Sequence, residues 1–191
     1  DTANTGAGTT ITSDADSSLA IKVDTEGSGT GISQIHSDAN NITNTTFNGD
    51  VSIVMVGTGN EKVGVLAKTE ADGDTNANTI TFNKKLNIDG NPTDPALVAG
   101  GKNTSITVSG KDTTTIVGNV FATNGGTVDV NLLTKDSYFI GKADNNPNGT
   151  IHVKIDSGSY WKMTENSSIN RLALSNAGEV RFGDTEVPLS L

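Results

Sequence analysis

Residues 128–155 read VDVNLLTKDSYFIGKADNNPNGTIHVKI and contain two copies of one alternating strand. The first copy is Val128-Asp-Val-Asn-Leu132, and the second is Ile151-His-Val-Lys-Ile155. Apolar residues at every second position place one face of each strand inward and the other toward solvent. A self-similar segment with a period of about 20 to 50 residues is typical of a solenoid, so the spacing matters more than either strand alone.

Apolar strand positions recur at a similar spacing along most of the chain. One ladder, with steps of about 20 to 23 residues, runs through Ile21, Ile42, Val63, Leu86, Ile106, Val128, Ile151 and Leu172. A second ladder, about half a repeat out of phase, runs through Ile11, Ile32, Ile53, Ile116, Tyr138, Trp161 and Val180, with a gap between Thr75 and Leu97. We therefore predict an all-β fold, a right-handed parallel β-helix (solenoid) of about eight coils of 20–23 residues.

The composition agrees with a narrow β-sheet core. Thr, Asn, Gly, Asp and Ser together make up more than half of the chain, whereas hydrophobic residues make up 33%. A chain this polar cannot fill a broad apolar core. Its abundant Val, Ile and Thr favour strands over disorder or helices, because their branched side chains fit a pleated sheet. One coil of a solenoid needs few inward apolar residues, so this content is sufficient.

Charge and cysteine content exclude several classes of function. The formal net charge is −9, which opposes nucleic acid and heparin-like partners, since both are bound by clustered basic residues. The chain has no cysteine, so it has neither disulfides nor thiol chemistry. The longest apolar run, Val51–Val56, is far shorter than the ~20 residues of a transmembrane helix.

Clusters of Gly, Asn, Asp and Pro between the ladder positions predict coil corners, because these residues accept positive φ angles and bond to nearby backbone. The predicted corners are Asp38–Asn41, Asp72–Asn76, Asn91–Pro95, Gly100–Asn103, Asn124–Gly126 and Asp144–Gly149. Two prolines between Asp89 and Lys102 predict that this stretch is a protruding loop.

The segment from Gly158 to Phe182 reads GSYWKMTENSSINRLALSNAGEVRF. It resembles the end of many classical (type V) autotransporter passengers, where a Trp strand, a Ser turn, an L-x-L strand and a V-x-F strand follow one another. The resemblance is confined to this segment, and residues 1–157 share only the family's composition and period. The short end Pro188–Leu191 stops before any translocator barrel.

The resemblance implies a bacterial surface or outer-membrane protein, of a kind that can also be released, whose C-terminal coils nucleate folding after secretion. It divides the chain into β-helix coils at residues 1–157 and terminal autochaperone-like coils at residues 158–191, and it implies a membrane translocator barrel beyond them. A solenoid folds by adding neighbouring repeats to a stable end, which supports this role. The predicted core of that end, the densest apolar cluster in the sequence, is Trp161, Met163, Leu172, Leu174, Val180 and Phe182.

Enzymatic chemistry is one alternative, since some β-helices are polysaccharide lyases or glycosidases. Glycosidases need two carboxylates about 5 to 9.5 Å apart, and Asp112, Asp136 and Asp156 occupy comparable places in successive repeats. Aspartate is also a common turn residue, however. The chain has only two arginines, which disfavours the basic site of a polysaccharide lyase. His36 and His152 are isolated in the sequence and are interpreted as strand or loop residues.

No cofactor, metal or catalytic site is predicted. Gly27–Gly31 and Gly57–Gly59 lack the Lys-Ser/Thr of a phosphate-binding loop and are interpreted as turns. Asp72–Asn76 resembles part of a calcium loop but lacks the closing Glu of an EF-hand. We expect a non-enzymatic adhesin or self-association rod that binds a host surface or matrix ligand, or another copy of itself. The remaining alternative is a scaffold that carries a toxin or enzyme module upstream.

Overall fold

The structure is a computed structural model, and it describes residues 9–37, 42–59, 61–70 and 76–183. Within these ranges no helix has the length and apolar content to cross a bilayer. The predicted corner at Asp38–Asn41, most of the one at Asp72–Asn76 and the end at Pro188–Leu191 lie outside the described residues.

The described residues form nineteen β-strands. They are β1 Thr9–Thr12, β2 Ser18–Asp24, β3 Ser28–His36, β4 Thr43–Phe47, β5 Asp50–Val56, β6 Glu61–Thr69, β7 Asn78–Phe82, β8 Leu86–Asp89, β9 Pro95–Gly100, β10 Thr104–Val108, β11 Thr114–Val117, β12 Asn119–Thr123, β13 Thr127–Leu132, β14 Tyr138–Ile140, β15 Ala143–Asp144, β16 Thr150–Ile155, β17 Tyr160–Met163, β18 Arg171–Leu174 and β19 Glu179–Phe182.

The strands stack into three parallel sheets. The first sheet has the order β1-β4-β7-β10-β13-β16-β18, the second β2-β5-β8-β11-β14-β17-β19, and the third β3-β6-β9-β12-β15. Each strand pairs in parallel with its equivalent on the next coil, and the chain completes about six to seven coils. The predicted fold class, an all-β parallel β-helix, is therefore confirmed, whereas the number of coils is lower than the predicted eight.

The C-terminal half of the first predicted ladder is confirmed. Ile106, Val128 and Ile151 are paired in register on the first sheet, and all three are fully buried. The last step is shifted, because Leu172 pairs with Val153 rather than with Ile151. A shift to the second residue along keeps the same face of the strand inward, since side chains alternate.

The N-terminal half of that ladder is wrong. Ile21 and Leu86 lie in the second sheet, Val63 lies in the third, and Ile42 precedes β4 and is 43% exposed. The first coils are much longer than predicted, because the first-sheet pairs there are Thr9 with Thr43 and then Thr43 with Asn78. A step of the predicted length in this region therefore leads from one sheet to another.

Coil length decreases overall along the chain. The first-sheet pairs Ser105 with Thr127 and His152 with Arg171 enclose much shorter coils than the pair Thr43 with Asn78. Part of the N-terminal excess lies in the third sheet, where β3 and β6 are the longest strands and β15 is the shortest. The predicted period describes only the C-terminal coils.

The second predicted ladder is also correct only in its C-terminal half. Ile11, Ile32 and Ile53 lie in three different sheets. In the C-terminal coils the buried column of the second sheet is Ile116, Phe139, Trp161 and Val180. Tyr138 faces outward, because its neighbour Phe139 takes the inward place that we assigned to it.

The stretch from Asp89 to Lys102 is not the protruding loop that its prolines predicted. It contains strand β9, in which Ala96, Leu97 and Ala99 are fully buried. Pro95 is the first residue of this strand, a position where a missing backbone N–H is tolerated. The turn at Asn124–Gly126 is a corner as predicted, with Asn124 at φ 52°.

The interior of the N-terminal coils is partly polar. The Gln34 side-chain amide donates to Asn78 Oδ1 at 2.6 Å and to the Thr79 carbonyl oxygen at 3.1 Å. Its own oxygen accepts from Thr45 Oγ1 at 2.6 Å. Buried polar groups are stable only when they are hydrogen-bonded, and this bridging amide meets that condition. The network joins the first and third sheets without additional apolar residues.

A charged pair is also buried in this region. Lys62 is 1% exposed, and its Nζ lies 3.5 Å from Asp94 Oδ2. The ammonium group donates to the carbonyl oxygen of Gly57 at 3.1 Å and also to that of Gly59. It therefore stabilises the backbone of the turn that the glycines form, as well as the Asp94 carboxylate.

Candidate functional site

The outward face of the first sheet is a regular array of polar side chains. Because side chains alternate along a strand, every second residue of each strand lies on this face. One column of paired residues is Thr10, Asn44, Thr79, Ser105, Thr127 and Thr150. The adjacent column is Thr12, Thr46, Thr81, Thr107, Asp129, His152 and Arg171.

We call this surface the hydroxyl face and define it by the two columns above. Equivalent residues on successive coils lie about 4.8 Å apart, and the two columns lie about 6.6 Å apart along each strand. Thr79 Oγ1 donates to Asn44 Oδ1 at 2.6 Å, so neighbouring side chains in a column hold each other in position. The result is an extended surface of hydrogen-bond donors and acceptors.

A groove of about 400 Å³ lies at the C-terminal end of the hydroxyl face. It is lined by Thr107, Asp129, Asn131, His152, Val153, Lys154, Arg171 and Ala173. Four consecutive strands of the first sheet, β10, β13, β16 and β18, supply these residues. The groove is where the hydroxyl column changes into a column of charged and titratable side chains.

Asp129 and His152 form a hydrogen-bonded pair at the centre of the groove. They are directly opposite each other in the register of β13 and β16, and Nδ1 of His152 lies 2.8 Å from Oδ1 of Asp129. An ionised carboxylate can only accept, so we assign the Nδ1 hydrogen to His152. The Nε2 atom then accepts a hydrogen bond in the neutral ring and donates one in the imidazolium.

Two cations flank this pair. Arg171 is opposite His152 in the next coil, and Lys154 is the next outward residue after His152 on β16. Both side chains belong to exposed residues, and neither has an acidic partner within salt-bridge distance in the described parts of the chain. The groove therefore has positive charge available in a chain whose net charge is −9.

This groove is not among the sites predicted from the sequence. The prediction that His152 is a strand or loop residue is confirmed, since it lies in β16, but the prediction that it is isolated is wrong, since it pairs with Asp129. Asp129 lies one coil before His152, so both occupy the same outward position of the repeat. The pair could have been found in the sequence by comparing outward as well as inward residues at the spacing of the repeat. His36 is buried in the third sheet, apart from the groove.

The three aspartates considered for catalysis do share a position. Asp112, Asp136 and Asp156 each lie at the corner between a first-sheet strand and a second-sheet strand. Asp112 Oδ1 accepts from the Thr113 backbone N–H at 2.7 Å, and Asp136 has a φ of 68°. These are the features of turn residues.

Asp156 follows the same pattern. Hydrogen bonds from Asn176, and after it Ser175, hold the pKa of the Asp156 carboxyl below its ordinary value. Its Oδ1 also accepts from the Ser157 backbone N–H at 2.6 Å. Hydrogen bonds to the charged form explain the direction of this shift. The carboxylate is thus an ionised acceptor within the turn.

The predicted core of the terminal coils lies at the end of the β-helix. Trp161 and Val180 are each 2% exposed and are paired in the second sheet, whereas Met163, Leu172, Leu174 and Phe182 are partly buried against the same core. The Trp161 ring stacks on Phe139 at 5.3 Å, and its Nε1 donates to the Gly141 carbonyl oxygen at 3.0 Å. Among these six residues, only Trp161 and Val180 are as deeply buried as the middle coils.

An aromatic pair lies on the outward face of the second sheet. The rings of Tyr138 and Tyr160 stack with centroids 5.5 Å apart. The Arg181 guanidinium carbon lies 3.9 Å from the Tyr160 ring centroid, and Arg181 is paired with Glu179 at 2.8 Å. Both sides of the Tyr160 ring are therefore in contact with neighbours. Arg181, one of the two arginines of the chain, therefore contacts the Tyr160 ring and forms an ion pair with Glu179.

No group of three or more potential metal ligands occurs within the ranges that the structure describes. The fold and the groove together define a parallel β-helix with an extended polar face. Comparison of the chain with protein-family models, with curated proteins and with solved structures gave no match.

Proposed function

We propose that this chain belongs to the passenger of a bacterial autotransporter and acts as a rigid adhesive rod at the cell surface. The observation that supports this most directly is the parallel β-helix that ends in the Trp, L-x-L and V-x-F segment. In that segment Trp161 and Val180 are paired on the second sheet, while Leu172 and Leu174 lie in the last strand of the first. The spacing of the resembling motif thus corresponds to consecutive sides of the final coils.

The rod's function in this proposal is contact rather than catalysis. A solenoid presents long, regular surfaces that suit extended contacts. The hydroxyl face supplies such a surface over seven stacked strands. Its Thr, Ser and Asn side chains can bind a host surface or matrix ligand, or a second rod on another cell, by hydrogen bonds.

The terminal coils have a second role in the proposal, as the folding nucleus of the passenger after export. The buried Trp161 ring, stacked on Phe139 and bonded to Gly141, gives the last coils a specific anchor. A solenoid propagates from a stable repeat by nearest-neighbour contacts. Residues 158–191 are therefore proposed to fold first, and residues 1–157 to add to them.

The test begins with the gene that encodes this chain. We expect the gene sequence that follows the codon for Leu191 to encode a membrane β-barrel, which the family resemblance requires. The complete gene is then expressed in a Gram-negative host, and the chain is detected on intact cells by antibody and by sensitivity to added protease. A matched control carries the same gene without residues 9–157.

Cells that display the complete passenger are expected to adhere to surfaces or to settle together faster than the control cells. A downstream gene sequence without a barrel, or a chain that stays protected from protease in intact cells, would contradict the autotransporter assignment. A catalytic domain encoded upstream would contradict the purely adhesive role, since the rod would then serve as a scaffold. Normal display without adhesion or settling would contradict the adhesive role in the same way.

A further inference from the structure

We propose that the groove at the end of the hydroxyl face binds the carboxylate of a sugar acid, with Arg171 and Lys154 holding the acid group. Thr107 and Asn131 would bind the sugar hydroxyls. This inference names a ligand class for the adhesive role and relies on the proposed function only for its biological setting. It depends on the groove itself, and it is tested on the isolated chain.

The cations are the first argument. A guanidinium group binds a carboxylate through two parallel hydrogen bonds, which is why arginine recognises such groups with a defined geometry. The chain has two arginines, and Arg181 is already paired with Glu179. Arg171 is exposed and has no acidic partner among the described residues, and Lys154 is close to it on the neighbouring strand. The groove thus combines a bidentate donor with a second positive charge.

The Asp129–His152 pair is the second argument. The 2.8 Å contact fixes one ring nitrogen of His152 on Asp129, so the ring cannot turn freely and Nε2 has a defined position. A neutral ring offers an acceptor for a sugar hydroxyl, and a protonated ring offers a third donor for the acid group. Asp129 also repels an anion placed next to it, which directs the acid group toward the Arg171 side of the groove.

The polar wall is the third argument. Thr107 is paired with Asp129 in the neighbouring coil, and Asn131 is the next outward residue after Asp129 on β13. The Asn131 amide nitrogen already donates to the Val108 carbonyl oxygen at 2.7 Å, which holds the side chain in place and leaves its Oδ1 and second N–H for a sugar hydroxyl. The Thr107 hydroxyl can both donate and accept. The volume of about 400 Å³ falls within the range of about 300 to 1,000 Å³ of small-molecule sites.

The overall charge limits the ligand to one or a few acid groups. With a net charge of −9 the chain repels a densely charged polymer at long range. At physiological ionic strength charges are screened beyond about 8 Å, so a single carboxylate in the groove responds mainly to Arg171, Lys154, His152 and Asp129. A sparsely acidic glycan satisfies both conditions.

The test is an NMR titration of the ¹⁵N-labelled chain with three probes: glucuronate, its neutral counterpart glucose, and inorganic sulfate. We expect glucuronate to shift backbone amides of β13, β16 and β18, and glucose to do so only at concentrations at least about tenfold higher. Arg171→Gln should weaken glucuronate binding at least about tenfold, because it removes a charge-assisted bidentate contact. Arg181→Gln is the matched control and should leave the affinity unchanged. The spectrum without ligand verifies that each variant is folded.

Several results would overturn the assignment. One is that saturating glucuronate shifts no backbone amides of the groove. Others are that glucose binds as tightly as glucuronate, or that Arg171→Gln and Arg181→Gln weaken glucuronate binding equally. Sulfate that binds as tightly as glucuronate and with the same dependence on Arg171 would show a simple anion site without sugar recognition. Each of these outcomes leaves the rod and its surface location untouched, so the two proposals fail separately.

Discussion

Replacing Trp161 with alanine should slow folding far more than replacing Phe82 with alanine, although both changes should destabilise the protein similarly. The two side chains are well matched: Trp161 is 2% exposed and Phe82 is 1% exposed. Each ring is stacked on an aromatic ring of the adjacent coil, Trp161 on Phe139 at 5.3 Å and Phe82 on Phe47 at 5.1 Å. They differ mainly in position, because Phe82 lies in β7 and Trp161 in β17, near the C-terminal end.

The magnitude follows from the buried volume that is lost. Removing a buried aromatic side chain costs about 3 to 5 kcal/mol, so we take about 4 kcal/mol for both variants. Trp161→Ala also leaves the Gly141 carbonyl oxygen without its 3.0 Å donor, which places this variant toward the upper end of the range. If the terminal coils form the nucleus, a φ-value of about 0.7 at Trp161 predicts folding about 100-fold slower. A φ-value of about 0.1 at Phe82 predicts only about a twofold effect.

The assay measures folding and unfolding rates as a function of urea concentration for the wild-type chain and both variants, with far-UV circular dichroism as the probe. Fluorescence is unsuitable for the comparison because Trp161 is the chain's single tryptophan. Trp161→Phe provides a further variant that retains a stacked ring but lacks the donor to Gly141. Equal slowing of folding by Trp161→Ala and Phe82→Ala would refute the nucleus at the C-terminal end. A larger effect at Phe82 would place the nucleus in the N-terminal coils.

Two further predictions concern ion pairs. Lys62→Met should lower the free energy of unfolding, measured in urea, by about 3 to 5 kcal/mol, because it leaves the buried Asp94 carboxylate without its cation. Adding Asp94→Asn should recover part of this loss, and additive losses from the two substitutions would contradict the coupling. The partly exposed pair of Lys142 and Asp144 should contribute about 0.5 to 1 kcal/mol, measured by Asp144→Asn. The Lys142 ammonium lowers the pKa of Asp144, so this contribution is present above about pH 5 and is lost as the pH falls through the lowered value. The hydrogen bond to Asp144 raises the pKa of Lys142 in turn, so the contribution is also lost as the pH rises through that raised value. A difference between wild type and Asp144→Asn that persists unchanged at about pH 2 would contradict this assignment.

The sequence predicted the fold class because alternation and repetition are local properties that any parallel β-helix must have. It predicted the C-terminal core well, where the coils have the assumed period and stack Ile106, Val128 and Ile151. It failed in the N-terminal coils because pairing between coils depends on the length of each side. No local pattern records that the third side is extended by the long strands β3 and β6.

The groove could have been predicted in part. The pairing of Asp129 with His152 follows from the period of the C-terminal coils once outward positions are compared. The position of Arg171 could not, because the coil from His152 to Arg171 is shorter than the assumed period. At the predicted spacing, the residue opposite His152 would instead have been one from Leu172 to Ser175. The final coil is short because β16 is followed by β17 and β18 with no third-sheet strand between them.

The same register connects the core and the surface of this protein. Val128, Val130, Ile151 and Val153 are buried, and each lies next to an outward residue of the groove. A slip of one residue in β16 would bring His152 and Lys154 inward and expose Ile151 and Val153. This would be unfavourable because apolar side chains would become exposed and polar or charged side chains would be buried. The inward residues therefore fix the positions of the outward ones, while the outward ones contribute little to the core. Substitutions on the hydroxyl face can therefore change the chemistry of this surface without changing how the protein folds, which is the property that the proposed adhesive role requires.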